Sequence, residues 1–268
     1  MIKAFFQYYK RATTRYQVHS PFVFAWADEV LDDYRYYYAF DKAEHLRDLM
    51  HESDEMLPVT DFGAGSRVQN GAVRKVSDIA KSAVTPMRQC ELLFKTIQLY
   101  KPKTMLEIGT SLGIAAAYQA EGYTKGQLWT LEGCPNIARK AQQNLMKASV
   151  ANAKIVVGEF SKTLPDVLKQ IKKLDYVFID GNHRCDPTLA YFDACLEYAH
   201  NDTLFVFDDI HWSDEMQQAW QTIKQHPRVT LTIDVFSMGM VWIRTENAQK
   251  EHFTLVETQY KPWRKYFL

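Results

Sequence analysis

Carboxylates follow two apolar runs in the second half of the sequence, and their spacing could hold a cation. Tyr176–Ile179 is followed by Asp180, and Leu204–Phe207 is followed by Asp208 and Asp209. If both runs are parallel strands, their carboxyl ends meet at one sheet edge, where neighbouring strands lie about 4.8 Å apart. Carboxylates so close repel each other unless a cation or shared protons intervene, and oxygen ligands suit Mg²⁺ or Mn²⁺. The pattern predicts a divalent metal at these acids; the alternative is that they cap loops or helices.

A second group of residues predicts a nucleotide-binding turn. A strand runs into Glu107, Gly109 makes the turn, and Gly113 opens an alanine-rich helix. Glu132 follows about twenty residues later at the end of the next strand, where an acid can accept hydrogen bonds from ribose hydroxyls. This order favours a nucleotide site over a tight loop with a solvated glutamate. The dinucleotide fingerprint G-x-G-x-x-G lacks its second glycine, so a nicotinamide-dependent oxidoreductase is a distant alternative.

Another glycine-bearing stretch, Asp61–Ser66, imitates such a turn. A proline interrupts the run before it, no clean helix follows, and no acid ends a second strand. We interpret it as an ordinary loop.

The elements that would position these residues alternate between apolar runs and amphipathic stretches, which is typical of βαβ units. We predict strands at Thr104–Ile108, Leu128–Leu131, Lys154–Val157, Tyr176–Ile179, Leu204–Phe207, Val229–Val235 and Gly239–Arg244. The last two are joined by a short turn and should form an antiparallel hairpin. The fold class predicted is a doubly wound, Rossmann-like α/β sheet of seven mostly parallel strands. Residues 1–80 would be a helical lid extension, 81–245 the main domain and 246–268 a tail.

Composition excludes few classes of protein. The 268 residues balance 32 basic against 32 acidic side chains, so no net field attracts nucleic acid or anionic membrane. No cysteine pair has C-x-x-C spacing, and we expect reduced thiols in a cytoplasmic protein. The first residues lack a signal-peptide run, and Pro21–Ala27 is too short to span a bilayer, so no membrane contact is expected. An interfacial amphipathic anchor is the lesser alternative.

The glycine turn resembles the E/D-x-G-x-x-x-G motif of class I S-adenosylmethionine (SAM)-dependent methyltransferases. The resemblance covers roughly residues 80–245 and includes the reversed final hairpin. It implies that SAM is the cofactor, that Glu132 holds its ribose, and that Ser82–Val84 closes over it. The other implied contacts are Glu107, Gly109, Ser111 and Gly113 around the methionine part, and Gly158, Glu159 and Phe160 at the adenine.

The strand-end acids resemble those of catechol and caffeoyl-CoA-type O-methyltransferases, and more closely bacterial relatives with an I-D-G-x-H strand end. That resemblance implies a metal at Asp180, Asp208 and Asp209 and transfer to a hydroxyl of a small acceptor. His183 stands where the best-known members carry lysine; it could act as the base beside Asp180, as an extra ligand, or only structurally. His211 is the next candidate base.

Two alternative functions stay open. One is an RNA methyltransferase that uses the basic segment Arg67–Lys103 for phosphates, although nucleic acid is not the expected partner. The other is a non-catalytic SAM-binding or interaction protein. A homodimer is possible for any of these.

Overall fold

An eight-stranded sheet forms the centre of the computed structural model, which describes residues 2–60 and 73–265. A separate two-stranded antiparallel sheet flanks it, and the loop Asp61–Ser66 lies outside the described residues. The strands are β1 (Met56–Pro58), β2 (Val73–Lys75), β3 (Thr104–Ile108), β4 (Gln127–Glu132), β5 (Ala153–Val157), β6 (Leu174–Ile179), β7 (Ala199–Asp208), β8 (Leu231–Asp234), β9 (Met238–Trp242) and β10 (Glu251–Thr254).

Helices cover both faces of the sheet. They are α1 (Ile2–Arg11), α2 (Pro21–Trp26), α3 (Tyr38–His51), α4 (Val76–Ser82), α5 (Met87–Tyr100), α6 (Ile114–Gly122), α7 (Pro135–Lys147), α8 (Phe160–Ile171), α9 (Cys185–Leu196) and α10 (Asp214–Gln225). In residues 2–60 and 73–265, none of them is long and apolar enough to cross a membrane.

The strand order is β10-β8-β9-β7-β6-β3-β4-β5. The pairs β7–β9 and β8–β9 are antiparallel, whereas the other neighbours in this sheet run parallel. The predicted doubly wound α/β class with a reversed terminal hairpin is therefore confirmed. The eighth strand, β10, was not predicted; it adds to the edge of the sheet parallel to β8.

Two apolar layers sandwich the central strands, because successive side chains of a strand point to opposite faces. On β7, Leu204 and Val206 belong to one core cluster, and Phe205 and Phe207 belong to the other. The first layer packs against α5 and α6, and the second contains side chains of α8, α9 and α10. All four cysteines are free and buried.

The sheet reverses its winding direction between β3 and β6. The chain moves outward from β3 through β4 to β5, and then returns to the other side of β3 for β6 and β7. Such a switch point leaves a crevice outside the carboxyl ends of the two strands, which is where doubly wound sheets bind ligands. The Gly109 turn and Asp180 follow these two strands.

The first 60 residues fold onto this core mainly as helices. Ser20 caps α2, Pro21 occupies its first turn, and Val23 and Trp26 are fully buried in the main core. The indole of Trp26 donates a hydrogen bond to Thr96 Oγ1 on α5 (3.3 Å). Val23 and Trp26 thus pack the extension onto the main core.

Candidate active site

The glycine turn joins β3 to α6 with a backbone that few side chains could adopt. Gly109 has a φ of +109°, and Gly113, the residue before α6, has a φ of +81°. A Cβ on Gly109 would lie 2.6 Å from the carbonyl oxygen of Asp180. The turn therefore needs glycine to let the β3 and β6 strand ends approach each other.

Glu132, at the end of β4, holds the same turn from the side. Its carboxylate accepts hydrogen bonds from the backbone N–H groups of Ser111 and Cys134, both at 2.9 Å. Burial raises its pKa, and these backbone hydrogen bonds act in the opposite direction. The structure thus brings Glu132 and the glycine turn together, as the sequence pattern predicted.

Glu107 lies deeper than the turn. It is fully buried, and its two oxygens pair with Gln119 Nε2 and Thr130 Oγ1, each at 2.5 Å. Burial raises its pKa to about 8. Because both oxygens are already engaged below the turn, a cofactor contact by this residue stays a prediction.

The predicted adenine segment follows β5. Gly158 has a φ of +140° and donates its N–H to the carbonyl oxygen of Glu132 (2.9 Å), which ties the segment to the end of β4. Phe160 begins α8, and its ring lies 2.7 Å from where a Cβ on Gly181 would stand. Glu159 points outward and forms an ion pair with Lys162 (2.8 Å), which lowers its pKa.

The acids that end β6 and β7 meet at the carboxyl edge of the sheet. Asp180 and Asp208 are close enough for the charge of Asp180 to raise the pKa of Asp208. Asp208 is almost completely buried, and its Oδ1 has no hydrogen-bond partner among the described residues. Burial and the neighbouring acids raise the pKa of both groups, and burial raises that of Asp209.

These acids can be tested for their fit to a divalent cation. In the described ranges, no group of three or more His, Cys, Asp or Glu side chains is already arranged to hold a metal ion. The chemistry of the donors nevertheless fits a cation. Asp208 Oδ1 has no hydrogen-bond partner among the described residues, and the neighbouring carboxylates Asp180 and Asp209 repel it when they are ionised. A cation at Asp208 would offset the repulsion between the ionised carboxylates.

Two histidines flank the acids. His183 Nε2 lies 3.5 Å from Asp180 Oδ1, and its ring is 5.8 Å from that of Trp212. His211 Nε2 lies 2.9 Å from Asp234 Oδ2, and its ring stacks on Phe236. Sequence reasoning missed Asp234, because an acid inside a hairpin strand carries no local signal of its histidine partner.

Thr85 is a second site residue that the sequence did not single out. Its hydroxyl donates to Asp180 Oδ2 (3.0 Å), and its carbonyl accepts a hydrogen bond from Arg47 Nη1 on α3 (3.0 Å). The signal that could have found it is its position directly after Ser82–Val84, the segment expected to close over the cofactor.

A narrow cleft lies between this segment and the glycine turn. The cleft is lined by Val84, Thr85, Gly109–Leu112 and Asp180. It encloses a volume of only about 10 Å³. Ligand pockets are usually several hundred Å³ in volume. The cleft is therefore nearly closed in this structure.

The basic segment is only partly a charged surface. Arg67 lies outside the described residues, Arg74 and Lys95 are buried, Lys75 pairs with Asp54, and Arg88 pairs with Glu91 and Glu257. Lys81, Lys101 and Lys103 are exposed. Most of the described basic groups here are thus engaged within the protein.

Comparison with known proteins shows what this chain is similar to. Residues 106–210 match the family model described as "Methyltransferase domain". Catechol O-methyltransferase of Mycobacterium tuberculosis is 33% identical over 110 residues, which are 40% of this chain and 48% of that protein. Protein-L-isoaspartate O-methyltransferase of Pyrococcus horikoshii is 29% identical over 86 residues, 32% of this chain and 39% of that protein. The chain thus spans half or less of the curated relatives' lengths.

Solved structures show the same fold. A putative O-methyltransferase from Klebsiella pneumoniae superposes with a TM-score of 0.55 at 20% identity, covering 79% of this chain and 92% of that one. An O-methyltransferase from Bacillus cereus in complex with SAH gives 0.53 at 18%, covering 78% and 92%. Residues 106–210 are thus similar to a methyltransferase domain, and the chain shares the fold of these solved O-methyltransferase structures.

Proposed function

We propose that this chain is a class I methyltransferase and that it transfers a methyl group from SAM to a hydroxyl of a small acceptor. The observation that carries the proposal is the convergence on one sheet edge of the glycine turn, held by Glu132, with Asp180 and Asp208. A turn for the donor thus stands beside acids that could position an acceptor oxygen. The O-methyltransferases among the relatives and solved structures support the reaction class.

The donor would lie along the glycine turn. SAM, when bound, supplies a methyl group on a positively charged sulfur. Glu132 would accept hydrogen bonds from its ribose hydroxyls while still accepting from Ser111 and Cys134, since a carboxylate has about four lone-pair positions. Because the cleft is nearly closed, Val84 and Thr85 must move aside for a ligand of that size.

Asp180, Asp208 and Asp209 would hold a divalent cation, either Mg²⁺ or Mn²⁺. A cation there would lower the pKa of an acceptor hydroxyl. The acids themselves would orient the acceptor oxygen beside the glycine turn, and the hydrogen bond from Thr85 to Asp180 belongs to the closed cleft.

His183 would remove the acceptor's proton as the new carbon–oxygen bond forms. Its place 3.5 Å from Asp180 supports this role, because Asp180 can orient the ring toward the acceptor oxygen. Charge balances in the step: the sulfur loses its positive charge, and the hydroxyl proton passes to the imidazole. His211, oriented by Asp234, is the second candidate for the base.

Calorimetry with S-adenosylhomocysteine tests the donor site. Glu132→Ala should weaken binding by about 1–3 kcal/mol, because hydrogen bonds from hydroxyls to a charged acceptor are lost. Asp166→Ala, which removes an exposed acid on α8, should bind like the unchanged protein. Binding of NAD without any binding of S-adenosylhomocysteine would contradict the proposal.

Titration with Mn²⁺ tests the metal independently of any acceptor. The unchanged protein should bind Mn²⁺, and Asp208→Asn should bind it at least about tenfold more weakly, because a ligand is lost. His183→Ala should bind Mn²⁺ unchanged if His183 is a base and not a ligand. Equal Mn²⁺ affinity of the unchanged protein and an Asp208→Asn, Asp209→Asn variant would rule the metal out.

A further inference from the structure

Residues from the start and the end of the sequence meet at one surface. The hydroxyl of Tyr9 on α1 donates to the carbonyl oxygen of Tyr260 (2.6 Å), and Lys261 Nζ donates to the carbonyl oxygen of Ala12 (2.8 Å). This contact places α1 beside the short 3₁₀ helix at Thr258–Tyr260, and a second one, Pro262–Lys265, follows directly along the chain.

Large apolar side chains remain exposed on this surface. Ile2 is 78% exposed and Phe6 67%, while Tyr260 and Trp263 are each more than half exposed. Ile2, Phe5 and Phe6 share one side of α1, because residues three and four apart are neighbours on a helix. We call the surface formed by Ile2, Phe5, Phe6, Tyr260 and Trp263 the terminal face.

The helix that supplies most of the terminal face is basic, although the whole chain is neutral. α1 contains three basic side chains and no acid. At the other end of the face, Lys261 is buried and adds no exposed charge. Lys3, Lys10 and Arg11 of α1 are exposed around the apolar side chains.

The terminal face contacts the turn between β8 and β9. The ring of Phe5 lies edge-on to Phe236 with centroids 5.1 Å apart, and Phe236 stacks on His211 at 5.3 Å. The turn that carries Phe236 is in turn hydrogen-bonded to the site, since Asp209 donates its N–H to the carbonyl oxygen of Ser237 (2.8 Å).

We propose that the terminal face binds the surface of an anionic lipid bilayer. An amphipathic helix with aromatic residues on its apolar side and lysines at the border lies in the interface between headgroups and acyl chains. Basic residues add attraction to anionic lipids. A second copy of this chain fits less well, because a two-fold contact would bring two basic surfaces together without an acid between them. Bound in this way, the protein holds the β8–β9 turn, which is bonded to Asp209, near the lipid.

Vesicle flotation of the full chain tests the proposal and needs neither SAM nor an acceptor. The protein should float with vesicles of phosphatidylcholine and phosphatidylglycerol, less with phosphatidylcholine alone, and less again at high salt. An Ile2→Ser, Phe6→Ser variant should lose flotation. A Lys3→Glu, Lys10→Glu variant should bind anionic vesicles at least about tenfold more weakly, since each lysine contributes roughly fivefold.

A matched control lies on α7, away from the terminal face. Met146 is 69% exposed and Lys147 is exposed beside it, so a Met146→Ser, Lys147→Glu variant changes the same kinds of side chain. It should float like the unchanged protein. Equal flotation of this control and the Ile2→Ser, Phe6→Ser variant would overturn the proposal. A concentration-dependent dimer that Phe6→Ser dissolves, without flotation on any vesicle, would overturn it in favour of self-association.

Discussion

Glu107 shows at the residue scale how the fold opposes ionisation of a group below the glycine turn. The side chain is fully buried between Gln119 and Thr130, and burial raises its pKa to about 8 from an ordinary value near 4.5. The folded protein therefore holds this proton at pH values where the unfolded chain has released it.

The free energy of unfolding should consequently fall as the pH rises from about 4.5 to about 8. The contribution of Glu107 is complete below its unfolded pKa and is lost as the pH passes its folded pKa. Glu107→Gln, which stays neutral, should show a flatter dependence, and the difference between the two proteins isolates this group from other acids. Urea unfolding at several pH values measures it, since one pKa unit corresponds to about 1.4 kcal/mol. Parallel curves for the two proteins would contradict the assignment.

The candidate site was partly predictable because its parts have local signals. A glycine turn after a strand, and acids at strand ends, are visible in the sequence, and the sheet brings Gly109 and Asp180 together as parallel pairing requires. The pairs Thr85–Asp180 and His211–Asp234 were not predictable, because they join residues 95 and 23 positions apart. Only the packed structure brings such partners within reach.

Gly109 carries the main constraint at the scale of elements. It lies where the ends of the neighbouring strands β3 and β6 approach each other. Its φ is positive, and a Cβ has no room against the backbone of Asp180. Gly113 also has a positive φ, but a Cβ there would meet only the side chain and backbone of Ala141 at 3.3–3.4 Å. A methyl group at Gly109 therefore clashes with the backbone, whereas one at Gly113 makes only a tight contact.

Gly109→Ala should lower the free energy of unfolding by about 2–4 kcal/mol, since it adds a backbone clash to an unfavourable φ. Gly113→Ala should cost about 1–2 kcal/mol, because the strain is mainly conformational. Urea unfolding of both variants shows which substitution lowers the free energy of unfolding more. A larger loss of stability for Gly113→Ala would show that the packing of α6, and not the approach of the β3 and β6 ends, requires glycine in this turn.

Most strands of the sheet could be predicted because they are buried apolar runs. Thr104–Ile108 was predicted with the bounds of β3, and the other parallel strands are longer than predicted, by up to five residues at the start of β7. β10 was missed because Glu251–Thr254 has no apolar run; it is a short edge strand whose position depends on pairing with β8. The local pattern thus finds the strands with apolar runs, including the edge strand β5, and misses the edge strand β10.

At the scale of the whole molecule, Asp32 joins the first and last parts of the sequence. Its side chain is only 2% exposed and accepts hydrogen bonds from the backbone N–H of Thr258 (2.7 Å) and from the hydroxyl of Thr258 (2.5 Å). Arg15 Nε lies 3.4 Å from the same carboxylate. The neighbouring Asp28 also pairs with Arg15, but its side chain is 45% exposed.

Asp32→Ala should lower the free energy of unfolding by about 2–4 kcal/mol, because it leaves the N–H and hydroxyl of Thr258 buried without an acceptor. Asp28→Ala should cost no more than about 1 kcal/mol, since an exposed ion pair is screened by water. Urea unfolding measures both. The loss at Asp32 should also loosen α1, so trypsin should cut after Lys10 or Arg11 faster in Asp32→Ala than in Asp28→Ala. Equal stability and equal cleavage of the two variants would show that other contacts, such as those of Tyr9 with Tyr260 and of Lys261 with Ala12, hold the two ends of the described chain together.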